Sequence, residues 1–218
     1  MTSRLSYHGL SAPLNLKPDL VTLGKWVGGG MSFGAFGGRK DKGIMALFDP
    51  RTGALAHSGT FNNNTITMAA GNAALDLYTE EKLKALNNLG KILRKGVEEV
   101  LHQNNIPSPQ RTLEEIFSKE GPSTDLPLHS LSLTDALTED PRPGMYMTGQ
   151  GSMLAMHFCG PSQTHLKELF WHHMLDEGIY IAQRCFIALN LELREEHVDK
   201  FVKATEAFVV KYKAALVR

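Results

Sequence analysis

One lysine, Lys25, stands between a short apolar run, Leu20-Val21-Thr22-Leu23, and three consecutive glycines, Gly28-Gly29-Gly30. A lysine held in a tight, glycine-lined pocket is disfavoured in its charged form, because desolvation penalises the ammonium. A neutral amine in such a place suits attack on a carbonyl and formation of a Schiff base. A solvated lysine at a surface turn is the plainer alternative. A nucleotide phosphate loop is excluded, since it needs Gly five residues before the Gly-Lys pair and Ser or Thr after it. Asp19 and Trp26 occupy those places. No register of the glycines from Gly28 to Gly38 gives the dinucleotide fingerprint either.

A second polar cluster, Ser58-Gly59-Thr60-Phe61-Asn62-Asn63-Asn64, precedes a helical pattern that sets in at Thr65. Hydroxyls and amides near a helix N-terminus suit a phosphate dianion. The same residues also suit plain helix capping, and both uses are compatible. His57 stands just before this cluster, and nothing in the sequence requires it in a site. The pair His172-His173 does not read as a metal site, because neighbours on a helix point about 100° apart. One exposed and one half-buried histidine are expected. Cys159 and Cys185 are too few for a disulfide framework, and buried free thiols are expected.

The elements that must position these groups follow from periodicity. Leu20-Val21-Thr22-Leu23 and Phe33 to Gly38 read as strands, the second with close backbone approach. Ile44 to Phe48 reads as a short helix stopped by Asp49-Pro50. Ile66, Ala69, Ala70, Ala73, Ala74 and Leu77 recur at spacings of three and four, predicting a helix with that face buried. A second helix starts at Thr79, whose hydroxyl can cap it. It continues through Leu83, Leu86, Leu89, Ile92, Leu93, Val97 and Val100 to Asn104-Asn105 and Pro107. Six prolines interrupt residues 106–146, which read as an irregular insertion or loop. Ser152 to Phe158 reads as a strand and His165 to Glu177 as a helix stopped by Gly178 in a left-handed cap. Ile179 to Ala182 and Phe186 to Leu189 read as two further strands. Glu195 to Ala214 predicts a last amphipathic helix, with Thr205 the one polar member of its buried face. The expected organisation is 1–78, 79–105 as a linking helix, 106–146, and 147–218 as a small two-layer α+β domain.

Composition narrows the classes. The 218 residues are 42% hydrophobic and 21% charged, an ordinary globular balance rather than disorder. Twenty-three basic residues offset 23 acidic ones, so no field of one sign gathers nucleic acid or anionic lipid. No run approaches the roughly 18 apolar residues that span a bilayer. The first residues lack the apolar core of a signal peptide. A cytoplasmic or organellar location is expected, without nucleic-acid or membrane partners.

The pattern Thr22-x-x-Lys25-x-x-Gly28-Gly29-Gly30, together with Ser58-Gly59-Thr60 and its asparagines, resembles the class III aminotransferases that use pyridoxal 5'-phosphate (PLP). The nearest branch is the one holding glutamate-1-semialdehyde aminomutase and β-amino-acid aminotransferases. The resemblance implies an α/β fold of the fold-type I PLP transferases. It implies a partial large domain with a truncated mixed sheet in 1–78, plus the small C-terminal α+β domain. It implies that Lys25 is catalytic and forms the Schiff base with PLP, and that Gly59 and Thr60 bind the cofactor phosphate of a partner subunit in a homodimer. An amino donor and an oxo-acid acceptor are the implied small molecules. Arg184 lies where the family places substrate-contacting residues, and arginine suits bidentate capture of a carboxylate. A surface arginine is the plainer alternative. The aminomutases carry an acidic residue in that neighbourhood and this chain does not, which favours amino transfer over isomerisation.

The resemblance covers all but 106–146 and matches only the second half of the family's enzyme. The family's aspartate at the pyridine nitrogen, its phosphate cup and its ring-stacking aromatic residue have no counterpart here. The expectation is a truncated chain, inactive alone. An aminomutase-like isomerase and a non-catalytic fragment pairing with a full-length relative are the two alternatives.

Overall fold

The computed structural model describes residues 2–52, 54–108 and 143–217. The chain forms two compact units, Met1–Ala85 and Leu86–Arg218.

In the first unit, β1 (Leu20–Gly24) pairs antiparallel with β2 (Gly34–Gly38), with Thr22 opposite Phe36. The apolar and β-branched residues of β1 favour the extended backbone. A 3-10 turn, Lys25–Gly28, continues directly from β1. A second 3-10 turn, Ile44–Phe48, ends at Asp49 as Pro50 requires. Helix α1 (Thr65–Leu77) is capped by Asn64, whose Oδ1 accepts from the Thr67 N–H at 3.1 Å.

The buried face of α1 differs from the expected one. Thr67, Gly71 and the adjoining Tyr78 are buried, with Ala70 and Ala74 half-buried beside them. Ile66 and Leu77 are exposed instead. The reason is steric. A Cβ on Gly71 would lie 2.8 Å from the Val27 carbonyl oxygen, and one on Gly29 would lie 2.1 Å from that of Ala70. Small residues let α1 settle backbone to backbone on the Lys25–Gly28 turn, and large ones on that face would hold it off.

Helix α2 (Glu80–Gln103) opens with Thr79 Oγ1 accepting from the Lys82 N–H at 3.3 Å. It ends with Asn105 in the left-handed region and Ile106 N–H bonded to the Leu101 carbonyl. Leu86, Leu89, Leu93, Val97 and Val100 are buried as the periodicity predicts, whereas Ile92 is exposed.

The second unit is built on the antiparallel order β3 (Gly144–Gln150), β4 (Met153–Cys159), β5 (Phe186–Ala188). Met147 faces Met156, and Leu154 faces Ile187. Met145, Met147, Leu154, Met156 and Phe158 are buried in one core with Leu93 and Val97 of α2. Helices α3 (Gln163–Asp176) and α4 (Glu195–Leu216) complete it. Phe170 and Phe208 meet edge to face at 5.1 Å, the arrangement aromatic rings favour. Thr205, fully buried, donates its hydroxyl to the Phe201 carbonyl at 2.9 Å.

Two expectations about elements fail here. Strand β3 begins at Gly144, inside the stretch read as irregular, of which residues 109–142 lie outside the described residues. Ile179 to Ala182 is not a strand. Its backbone is engaged elsewhere: Ile179 N–H bonds the Met174 carbonyl at 2.7 Å, and the Ile181 carbonyl accepts from the Trp171 indole at 3.1 Å. The first of these bonds, with Gly178 at φ 68°, is the left-handed cap that ends α3.

Candidate functional site

Lys25 is the first residue of the turn that follows β1, and its backbone lies in the left-handed region at φ 62°. An L-residue other than Gly or Asn pays about 1–2 kcal/mol there. Such a conformation persists only where the surroundings over-determine it. The turn is closed by Gly29 N–H bonded to the Trp26 carbonyl at 2.9 Å and by Met31 N–H bonded to Gly28 at 3.0 Å. Gly29 and Gly30 also have positive φ, at 61° and 90°.

The three glycines serve different purposes. Gly28 admits the Phe33 side chain, whose Cβ would lie 2.4 Å from an added Cβ, and Gly29 admits α1. Gly30 faces open space, with nothing within 4 Å of an added Cβ. The Lys25 side chain is exposed. The desolvated, glycine-walled amine expected from the sequence is therefore not met within this unit, because two of the glycines are used for packing.

Trp26, next to Lys25, is half-buried and lies 4.1 Å from the Tyr78 ring at 42°. Tyr78 donates its hydroxyl to the Ser3 carbonyl at 2.8 Å, and the Tyr7 ring stacks on it at 6.4 Å. Burial pushes the Tyr78 phenol upward, and the Arg4 charge opposes this. The phenol is thus held in its protonated, donating form.

Gly59 and Thr60 belong to the exposed turn ahead of α1, where Asn62 N–H bonds the Gly59 carbonyl at 3.0 Å. Capping of α1 falls to Asn64, which leaves Ser58 and Thr60 out of that role. Among the described residues no hydrogen bond joins Lys25 to Thr60. The two are linked instead through α1, which starts five residues after Thr60 and packs on the Lys25 turn. His57 packs edge-on against Phe36 at 5.1 Å and near Phe48 at 6.1 Å.

Arg184 is carried by the second unit. It is exposed, and its guanidinium lies 5.3 Å from the Phe186 ring centroid. The neighbouring Cys185 is buried at φ 61°, its thiol pushed up to about 11 by burial, against the Lys167 charge. A thiol so placed is inert. Both cysteines are free and buried. His172 is exposed and His173 half-buried, and no group of metal-binding side chains occurs among the described residues.

Two features escaped the sequence. On the second unit, His157 Nε2 lies 2.6 Å from Thr148 Oγ1, with the Tyr146 ring stacked on the imidazole at 5.0 Å and 14°. Burial lowers the His157 pKa, and the Lys167 charge acts in the same direction. These three residues share a sheet face that only a recognised β3 would have revealed. The same unit holds a cavity of about 440 Å³ lined by Leu93, Ile181, Leu189, Val198 and Phe201, with His197 and Lys200 also in its wall. None of the site residues expected from the sequence lines it.

Residues 9–125 match the family described as Aminotransferase class-III. The β-phenylalanine transaminase of Variovorax paradoxus is 40% identical over 229 residues, covering 100% of this chain and 44% of that protein. The solved β-phenylalanine aminotransferase structure from Variovorax paradoxus superposes with a TM-score of 0.77 at 38% identity, covering 100% of this chain and 44% of that one. The glutamate-1-semialdehyde 2,1-aminomutase of Clostridium kluyveri is 32% identical over 209 residues, 94% of this chain and 43% of that protein. The structure is that of part of a fold-type I PLP-dependent aminotransferase, mixed α and β. The chain belongs to the class III aminotransferase family, whose members use PLP. It spans less than half the length of the relatives it matches. Among the described residues no helix is long and apolar enough to cross a membrane.

Proposed function

We propose that this chain is the part of a PLP-dependent aminotransferase that carries the cofactor-attaching lysine, Lys25. The observation that carries the reading is the left-handed Lys25 at the end of β1, opening the turn on which α1 is seated. The donor set fits the cofactor: the Lys25 amine suits its aldehyde, and the Thr60 hydroxyl with the Gly59–Thr60 amides suits the phosphate of the cofactor on a partner subunit. The open space at Gly30 leaves room beside the turn. Bound there, PLP supplies the electron sink that makes an amino acid's α-proton labile.

The chain's own residues account for the remaining roles. Lys25, when neutral, accepts that proton and returns it to the carbon that gains the amine. Thr60 holds a phosphate oxygen of a partner subunit's cofactor in a homodimer. Arg184 takes a substrate carboxylate by its paired N–H donors. The second unit serves as the small domain, with α2 as the linking helix. The substrate is an amino acid, and the acceptor an oxo acid.

The test uses a polypeptide carrying residues 1–218 within the family's full length. Borohydride trapping followed by peptide mapping should place the cofactor on Lys25, and Lys25→Ala should remove both the adduct and the visible absorbance. Amino donors, β-amino acids included, are then assayed against 2-oxoglutarate and pyruvate. An adduct that persists in Lys25→Ala refutes the attachment site. Turnover of glutamate-1-semialdehyde alone would replace transfer by isomerisation.

A further inference from the structure

The left-handed backbone of Lys25 needs a cause, and the turn's own hydrogen bonds are insufficient because they close after Lys25. The bond from Gly29 to Trp26 fixes Trp26 to Gly29 only. Antiparallel pairing fixes β1 up to Gly24, opposite Gly34. Lys25 is the joint between these two fixed pieces, so the direction in which Trp26 leaves it sets its φ.

α1 seats the turn further along, at Val27 and Gly29, and Trp26 itself is held through its ring. Its indole lies against Tyr78 at 4.1 Å, and Tyr78 is itself anchored three ways. Its hydroxyl donates to the Ser3 carbonyl at 2.8 Å. Its N–H bonds the Ala74 and Leu75 carbonyls at the end of α1. Its side chain is buried under the Tyr7 ring. Returning Lys25 to negative φ would swing Trp26 off this anchor and break the aromatic contact.

We propose that Tyr78 is the positioning residue for Lys25: acting through Trp26, it holds the lysine in its left-handed conformation and so fixes where the amine points. The functional meaning rests on Lys25 being the attachment lysine, while the positioning itself is measurable without cofactor. α1 thus starts just past Thr60 and ends on the residue that aims Lys25.

The experiment compares Gly and Ala at position 25 in the 218-residue chain carrying Val21→Thr and Leu23→Thr, read by hydrogen exchange of the α1 amides. Where the left-handed geometry is enforced, Lys25→Gly protects these amides about threefold to tenfold more than Lys25→Ala, since Gly alone adopts that region without strain. In a Tyr78→Leu background the turn relaxes and the order reverses, because Ala then benefits from its lower unfolded-state entropy. Tyr78→Phe keeps its ring on Trp26 and keeps the preference for Gly. Should Tyr78→Leu not fold, Trp26→Leu removes the same contact from the other side and must give the same reversal.

A Tyr78 that only stabilises the unit would lower protection in both position-25 variants equally and leave their ratio unchanged. An unchanged ratio in whichever of the two leucine backgrounds folds overturns the proposal, as does loss of folding in both. A reversed ratio with no cofactor trapped on Lys25 keeps the positioning and removes the functional reading. Trapping on Lys25 with an unchanged ratio does the opposite.

Discussion

Gly71 and Val27 meet backbone to backbone: a Cβ on Gly71 would lie 2.8 Å from the Val27 carbonyl oxygen. The carbonyl belongs to the turn that Lys25 opens, so the seating of α1 and the placement of Lys25 are one packing problem. Aligned small residues, Ala70, Gly71 and Ala74, make that approach possible.

Gly71→Ala sets two effects against each other. Ala in a helix interior is favoured over Gly by about 1 kcal/mol. Forcing a methyl into a backbone carbonyl costs about 1–3 kcal/mol, since neither partner can rotate away. The clash should win, lowering protection of the α1 amides in hydrogen exchange. Gly96→Ala is the comparison: its added Cβ would meet the Val202 Cγ2 methyl at 2.8 Å, a β-branched side chain that cannot rotate freely in a helix but can shift more than a backbone carbonyl. Gly96→Ala is expected to cost less than Gly71→Ala. Equal effects from the two substitutions would contradict the argument.

The His157 site predicts a pH dependence for the second unit. Burial and the Lys167 charge lower its pKa below the ordinary 6.5. Between the folded and unfolded values the unfolded chain binds more protons, so stability rises with pH across that window. The contribution is fully present above 6.5 and is lost as pH falls through the folded value. Denaturant titrations from pH 8 to pH 5 should show this loss, and His157→Gln should flatten it. Thr148→Val should destabilise at every pH by leaving the imidazole nitrogen without the hydroxyl 2.6 Å away. A His157→Gln profile identical to the parent would dispose of this account.

Several of these features could be read from the sequence. The Lys25 turn, both strands around it and the start of α1 follow from residue type, because apolar β-branched runs, glycines and an Asn cap have local effects. The conformation of Lys25 does not, since lysine carries no signal for positive φ and the cause lies more than fifty residues away at Tyr78. Periodicity does not reveal the buried face of α1, because it weights large apolar residues, while a helix seated on backbone selects small ones. Strand β3 was hidden by Pro141 and Pro143 just ahead of it. Ile179 to Ala182 looked like a strand because apolar runs do not reveal that Trp171 and the α3 cap take their backbone groups.

The last prediction concerns residues 1–218 on their own. Leu20, Val21 and Leu23 alternate along β1, so apolar side chains leave both of its faces, and all three remain 45–48% exposed. Apolar residues on both faces are the pattern of a strand covered on both sides. A two-stranded sheet is marginal by itself and offers free edges for further pairing. The chain alone should therefore self-associate in size-exclusion chromatography, and Val21→Thr with Leu23→Thr should reduce this while leaving the second unit's unfolding unchanged. Amino transfer by the chain alone should be undetectable. The chain covers 44% of the β-phenylalanine transaminase it matches, so more than half of such an enzyme lies outside residues 1–218, and loss of one stabilising group from a site commonly costs about 10²–10³ in rate. Co-purification with a longer relative would favour the pairing alternative over self-association. A monodisperse chain turning over at roughly 1 s⁻¹ or faster, the ordinary enzymatic range, would show that these 218 residues suffice.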